Sequence, residues 1–384
     1  MNFRVNFKLI DGAFLIKFLV FFLFTGHIAL TVFHFNFSSY LDFVLLFILF
    51  INFRLDNANL STFLLFFGVI LFCLIRLPFI DFQWDSKYFF ISMKVLIYCL
   101  LFISYKPKYY NNQLTLLWVK RLFLISCLLI TVDKIVSILR LGLIEGLLFR
   151  PRLIGEINFD IVLIIELWLI LKLFSPSYKK SYGYILFFIV IISLSRSGII
   201  GYGLTYFFAI QSSKNFSDVK VILRNALILV FGFVVILGIY YLRDPTLNFK
   251  NIDRIQLLSA LFSIYDFSNF TNLFFGFGVL VQLPNVICDA FSFYAEQTTG
   301  SEDNCNPVIL FSYYLRSIFE FGGIITFMIP YIYYKIFKLK FDKLTSLVII
   351  MPVLAVSLAV GGFYNSMSII SLVLAKCIIQ KSVI

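Results

Sequence analysis

Apolar runs close to the roughly 20 residues that cross a hydrocarbon core follow one another along nearly the whole chain. A sequence built this way has too little polar surface to fold in water. Of its 384 residues 61% are hydrophobic and 14% charged, against about 45–50% and about 25% in soluble domains. That excludes a soluble globular protein and predicts one all-α, polytopic membrane domain over residues 1–384.

Windows of high hydropathy between polar clusters predict about 12 spans, near 13–35, 38–53, 60–79, 88–104, 114–133, 157–174, 183–194, 198–211, 221–241, 307–337, 344–361 and 364–380. The seventh and eighth are short and separated by Ser195, Arg196 and Ser197, so they form either a tight hairpin or one broken helix. No A-x-A-like cleavage site follows Phe18 to Leu30, which predicts a retained first helix rather than a signal peptide.

Lys and Arg collect in short cytoplasmic connections. With both termini cytoplasmic, that side receives Lys17, Arg54, Lys106, Lys120, Lys179, Lys180, Lys335 and Lys338 among others, with few acids. The net charge of +12 is therefore a sign of topology and not a nucleic-acid footprint. The outer side has one large loop, 242–306, between the ninth and tenth spans. In it, Asp253 to Phe267 carries apolar residues at helical spacing, as an interfacial helix would. Cys288 and Cys305 also lie there. They either stay free or close a disulfide around an 18-residue segment, worth about 3 kcal/mol. Cys73, Cys99, Cys127 and Cys377 read as small apolar fillers within helices.

The arginines on the outer side need a counter-charge or a role: Arg150, Arg152, Arg196, Arg254 and Arg316. A guanidinium stays charged and binds phosphate or carboxylate oxygens in pairs. Arg150 and Arg152 flank Pro151, with Glu156 and Asp160 close enough in sequence to neutralise them. Arg196 stands among small residues in SLSRSGIIGYG, where helices can pack closely. Arg316 has Glu320 one turn later, which fits a structural ion pair. Gly276 and Gly278 in LFFGFGV allow close backbone approach. There is no P-loop, no G-x-S-x-G elbow and no set of zinc ligands. His27 and His34, both in the first span, read as packing or interface residues. No metal and no cofactor is expected.

Four strings, in order, resemble the O-antigen polymerase and ligase superfamily of Wzy-type membrane glycosyltransferases. They are RLIGEIN (152–158), SRSGIIG (195–201), DRIQLLSALF (253–262) running on to GFG (276–278), and SYYLRSIFEFGGI (312–324). The likeness implies a GT-C-like fold in a bacterial inner membrane, with the active site facing the periplasm. It implies a donor glycan on undecaprenyl diphosphate, a carrier-linked acceptor and a chain-length regulator as partners. Ligases of this superfamily carry a His-Asn pair just ahead of the last string, where Phe311 and Ser312 stand here; that favours a polymerase. On this reading Arg150, Arg152, Arg196, Arg254 and Arg316 hold the diphosphate. Arg196 and Arg254 also act at the reacting centre, and Glu296 or Asp303 serves as base, ahead of Glu302, Asp289 and Glu320. The alternatives are a ligase of the same superfamily and a lipid-linked oligosaccharide flippase or transporter.

Overall fold

A computed structural model describes residues 12–33, 38–54, 57–76, 86–106, 112–154, 157–211, 223, 227, 230, 234, 238, 256, 258–259, 262, 270–290, 305–310, 312–339, 341–358 and 360–379. Among the described residues the regular structure is helical, apart from one isolated bridge between Phe53 and Tyr105. In chain order the helices are α1 (Gly12–Phe33), α2 (Ser38–Ile51), α3 (Asn57–Arg76), α4 (Ser86–Ser104), α5 (Asn112–Leu141), α6 (Leu143–Leu148), α7 (Ile157–Phe174), α8 (Ser181–Ser193) and α9 (Arg196–Gln211). They continue with α10 (Phe270–Phe275), α11 (Asn285–Ala290), α12 (Tyr313–Lys338), α13 (Lys343–Ser357) and α14 (Ser366–Ile379). Short 3-10 turns occupy Pro307–Leu310 and Gly362–Tyr364.

Five described helices, α1, α3, α4, α5 and α12, are long and apolar enough to cross a membrane. The protein is thus an α-helical membrane protein. Its centre is α7, apolar all round as a helix enclosed by other helices must be. Every residue from Asn158 to Leu171 is buried, and α5, α8, α9, α13 and α14 all pack on it. By contrast α3 is mostly exposed, with Leu64, Leu65, Phe67 and Ile75 pointing outward, as on a lipid-facing surface.

Several spans differ from the sequence reading in instructive ways. The predicted helix 114–133 runs on to Leu141 because Asp133 and Lys134, the apparent stop, are satisfied within the fold. Lys134 is buried, and its Nζ donates to the carbonyls of Leu147 and Phe149, each at 2.6 Å. Gly142, at φ +83°, then reverses the chain. Gly146 brings α6 so close to α5 that a Cβ would strike the Ile138 backbone. The choice between hairpin and broken helix resolves as a hairpin. Leu194 turns at φ 51°, and the Phe187 and Tyr202 rings face each other across the fold at 6.1 Å.

The predicted helix 307–337 is a 3-10 turn followed by α12, which is broken inside at Gly322 (φ 80°, ψ 171°). The expected span 221–241 and loop 242–306 lie largely outside the described residues. Of that stretch, Leu223, Leu227, Val230 and Val234 are helical and exposed, as are Leu258 and Phe262.

At the lysine-rich end of the bundle, α2 and α4 close through their tails. The Arg54 amide donates to the Ser104 carbonyl at 2.9 Å and the Lys106 amide to the Asn52 carbonyl at 3.0 Å. Within the bundle Lys94 pairs with Asp42 at 3.2 Å, and the Tyr98 hydroxyl donates to the same carboxylate at 2.5 Å.

Candidate functional site

The arginine-bearing end is organised by two polar clusters. The first hangs the segment 147–153 from the surrounding helices. Asp133 accepts from the Arg152 amide at 2.8 Å, and Asp160 from the Leu153 amide at 2.8 Å. The Leu153 carbonyl lies 3.0 Å from His27 Nδ1. Lys134 holds the carbonyls of Leu147 and Phe149, on the approach to Pro151. Pro151 is buried, while Arg150 is half-buried and Arg152 exposed. The two arginines are thus carried by an irregular segment whose backbone is pinned. Both acids spend an oxygen on backbone amides, a use of Asp160 that its sequence position beside the arginines does not disclose.

That segment leads into α7, whose Asn158 is tied to the serines on either side of Arg196. The Asn158 side-chain oxygen accepts from the Ser195 and Ser197 hydroxyls at 2.7 and 2.8 Å. Ser195 also caps α9, its Oγ accepting from the Gly198 amide at 3.0 Å. The packing is close at Gly198, where a Cβ would lie 2.8 Å from Ile161 Cγ2 and the side chains around it would have to shift. Arg196 therefore occupies the first turn of α9, flanked by two serines fixed on α7, and is half-buried. Amides at a helix N-terminus and the helix dipole favour an anion there, and the guanidinium adds to that field.

The second cluster is buried. Arg316 Nε donates to Glu320 Oε1 at 3.0 Å and its terminal nitrogen to Ser92 at 3.0 Å. Ser92 donates to Glu320 Oε1 at 2.7 Å and the Tyr364 hydroxyl to Oε2 at 2.7 Å. The Arg316 guanidinium also lies 4.2 Å from the centre of the Tyr364 ring. Three elements, α4, α12 and the turn before α14, are thus tied to one carboxylate. Arg316 and Glu320 are 5% and 1% exposed, as partners enclosed by the fold are.

Beside this pair the GFG string meets α12. Gly276 is at φ +72° and would place a Cβ 2.7 Å from the Glu320 carbonyl oxygen. The Phe277 amide donates to the Phe319 carbonyl at 2.8 Å. Arg76, at the end of α3, donates to the carbonyls of Phe275 and Gly276 at 2.7 and 3.2 Å. It carries the same sequence signal as the other arginines that the sequence reading places on the outer side. Close by, Cys288 and Cys305 form a disulfide with a Cα–Cα distance of 5.6 Å, packed with Leu283, Leu310 and Phe319.

Of the residues singled out from sequence, Arg254, Glu296 and Asp303, with Glu302, lie outside the described residues. Arg150, Arg152 and Arg196 share one hydrogen-bonded framework, whereas Arg316 belongs to the buried pair. Sequence reasoning passed over Ser92 and Tyr364, which carry no local signal. It also passed over Glu166, whose signal was plain: an acid in the middle of an apolar run. Glu166 is fully buried on α7, and neither carboxylate oxygen has a hydrogen-bond partner. No protein-family model, curated protein or solved structure matches this chain.

Proposed function

We propose that the chain is a polymerase of the Wzy type, joining carrier-linked glycan units on the outer face of the membrane. The observation that carries this reading is the double hydrogen bond from Ser195 and Ser197 to Asn158, which joins two of the strings behind the resemblance, RLIGEIN and SRSGIIG. The meeting of GFG with FEFGG at Gly276 and Gly322 supports it in the same way.

In the reaction the acceptor hydroxyl attacks the anomeric carbon of the donor glycan. The bond to the diphosphate oxygen breaks, and undecaprenyl diphosphate departs with the electron pair. Negative charge grows on the phosphate oxygens as it leaves. Guanidinium groups already in place stabilise that charge more in the transition state than in the ground state. Arg196, at the positive end of α9, is the main contact, with Arg150 and Arg152 contributed by the pinned segment before α7 and Arg254 by the outer loop. Glu296 or Asp303 takes the hydroxyl proton. Arg316 is committed to Glu320 and serves the site by holding the broken α12 in place.

A transporter is the second reading, favoured by Glu166 alone, since an intramembrane acid is characteristic of ion and substrate pathways.

Surface-glycan electrophoresis of a deletion strain tests the proposal. Loss of a polymerase leaves one repeat unit on the core. Loss of a ligase leaves bare core with carrier-linked polymer still made, and loss of a transporter leaves neither. Complementation with Arg196→Ala should fail to restore the ladder, at a cost of about 3 kcal/mol in the barrier by analogy with removal of an oxyanion donor. Arg196→Lys retains charge and loses the paired geometry. A wild-type ladder from both variants overturns the assignment.

A further inference from the structure

At the lysine-rich end of the bundle a pocket of about 250 Å³ opens between the start of α5, the end of α7 and the start of α8. Its lining is mixed. Leu117 and Leu171 supply apolar surface, and Lys120, Gln113, Ser175 and Ser177 supply polar groups. The two serine hydroxyls are 3.2 Å apart.

The charge around it is one-sided. Segments 112–124 and 170–184 contain Lys120, Arg121, Lys172, Lys179 and Lys180 and no Asp or Glu. Among the described residues no carboxylate pairs with Lys120. These cations lie against rings instead: Lys120 is 5.9 Å from the Tyr182 ring centre, Arg121 4.6 Å from Trp118 and Lys172 5.1 Å from Trp168. Rings attract cations but do not neutralise them. Among the described residues the only charged side chain lining the pocket is that of Lys120, which suits an anionic ligand.

We propose that this pocket binds the phosphate-bearing headgroup of an anionic phospholipid. Lys120 supplies the charge, Ser175 and Ser177 donate to the phosphate oxygens, and Leu117 and Leu171 receive the first methylenes of an acyl chain. A free inorganic phosphate would use the polar lining and leave the apolar lining unused, so the lipid fits the whole pocket. Basic pockets between membrane helices are where such headgroups bind. The site lies at the opposite end of the bundle from the arginine framework and does not depend on the polymerase reading.

The test is lipid retention by the purified full chain, followed by native mass spectrometry with phosphatidylglycerol as probe and phosphatidylcholine as the uncharged comparison. Wild-type protein should retain phosphatidylglycerol preferentially. Lys120→Gln should weaken retention about fivefold, as expected for one surface lysine. Ser177→Ala should weaken it in the same direction, and this variant decides the matter should Lys120→Gln fail to fold. Lys338→Gln, an exposed lysine outside the pocket, should leave retention unchanged. Equal retention by the pocket variants and wild type, or equal retention of the two lipids, overturns the proposal. So does displacement of the lipid by inorganic phosphate alone, which would make the site one for a free anion.

Discussion

A Cβ placed on Gly276 would lie 2.6 Å from the backbone nitrogen of Gly322, so the chain leaving α10 and the break in α12 are in direct backbone contact. Both glycines hold positive φ, +72° and +80°. Gly322→Ala would bring its methyl against the Phe274 carbonyl, in a positive-φ extended conformation (ψ 171°) that is essentially reserved for glycine and alone costs about 1–3 kcal/mol. We expect it to lower the yield of monodisperse protein on size exclusion. Gly323→Ala, whose Cβ would sit 3.4 Å from the Leu273 oxygen, should behave as wild type.

The Arg316–Glu320 pair predicts strong non-additivity. Arg316→Met leaves a carboxylate enclosed among α4, α12 and the turn before α14, and breaking a buried pair on one side costs about 3–5 kcal/mol. Arg316→Met combined with Glu320→Leu should recover a large part of that loss. Thermal unfolding in detergent of both single variants and the double variant measures the coupling. Strictly additive losses would count against the pair as a unit.

Closing the Cys288–Cys305 loop should contribute about 3 kcal/mol through the unfolded chain. Reductant, or Cys288→Ser, should lower the unfolding temperature accordingly. A membrane-impermeant maleimide applied to intact cells should label these cysteines only after reduction, and only if the loop faces outward.

The sequence made some of this legible and hid the rest for physical reasons. The spans predicted at 88–104 and 157–174 lie within two residues of α4 and α7, because unbroken apolar runs flanked by polar residues admit little else. The overshoot of α5 was hidden, since Asp133 and Lys134 look like a helix end until the chain that satisfies them is folded back. The break at Gly322 was equally hidden: a glycine pair in an apolar run signals close packing, not which backbone will approach. The pairing of Arg316 with Glu320 was readable from their four-residue spacing, whereas Ser92 and Tyr364 join only through tertiary structure. Asn158 could be named from its string, yet its two serine donors depend on the α8–α9 hairpin.

Glu166 offers a test of charge in the bundle. An ionised carboxylate without a partner in an apolar interior costs several kcal/mol, so the neutral isostere should be accepted. Glu166→Gln is expected to accumulate and unfold at or above the wild-type temperature, while Glu166→Lys should fail to accumulate. A Gln variant that retains its fold but loses the glycan ladder would assign the carboxyl a role in function.

Asp342 caps α13, accepting from the Leu344 and Thr345 amides at 3.0 Å each. Hydrogen bonds from Thr345, and from the Leu344 amide, hold its carboxyl below the usual aspartate range. The contribution is therefore present above the unfolded value of about 3.9 and is lost as pH falls through the folded one. Asp342→Ala should cost about 0.5–2 kcal/mol at neutral pH. The gap between the melting temperatures of variant and wild type should close below about pH 4.

At 30 residues, α5 rises about 1.5 Å per residue and so outreaches a hydrocarbon layer of roughly 30 Å. Its last turns form a mast, and Asp133 and Lys134 are the cleats to which the segment carrying Arg150 and Arg152 is lashed. The backbone that carries those guanidiniums thus moves with α5, and lengthening or shortening the mast would shift both together.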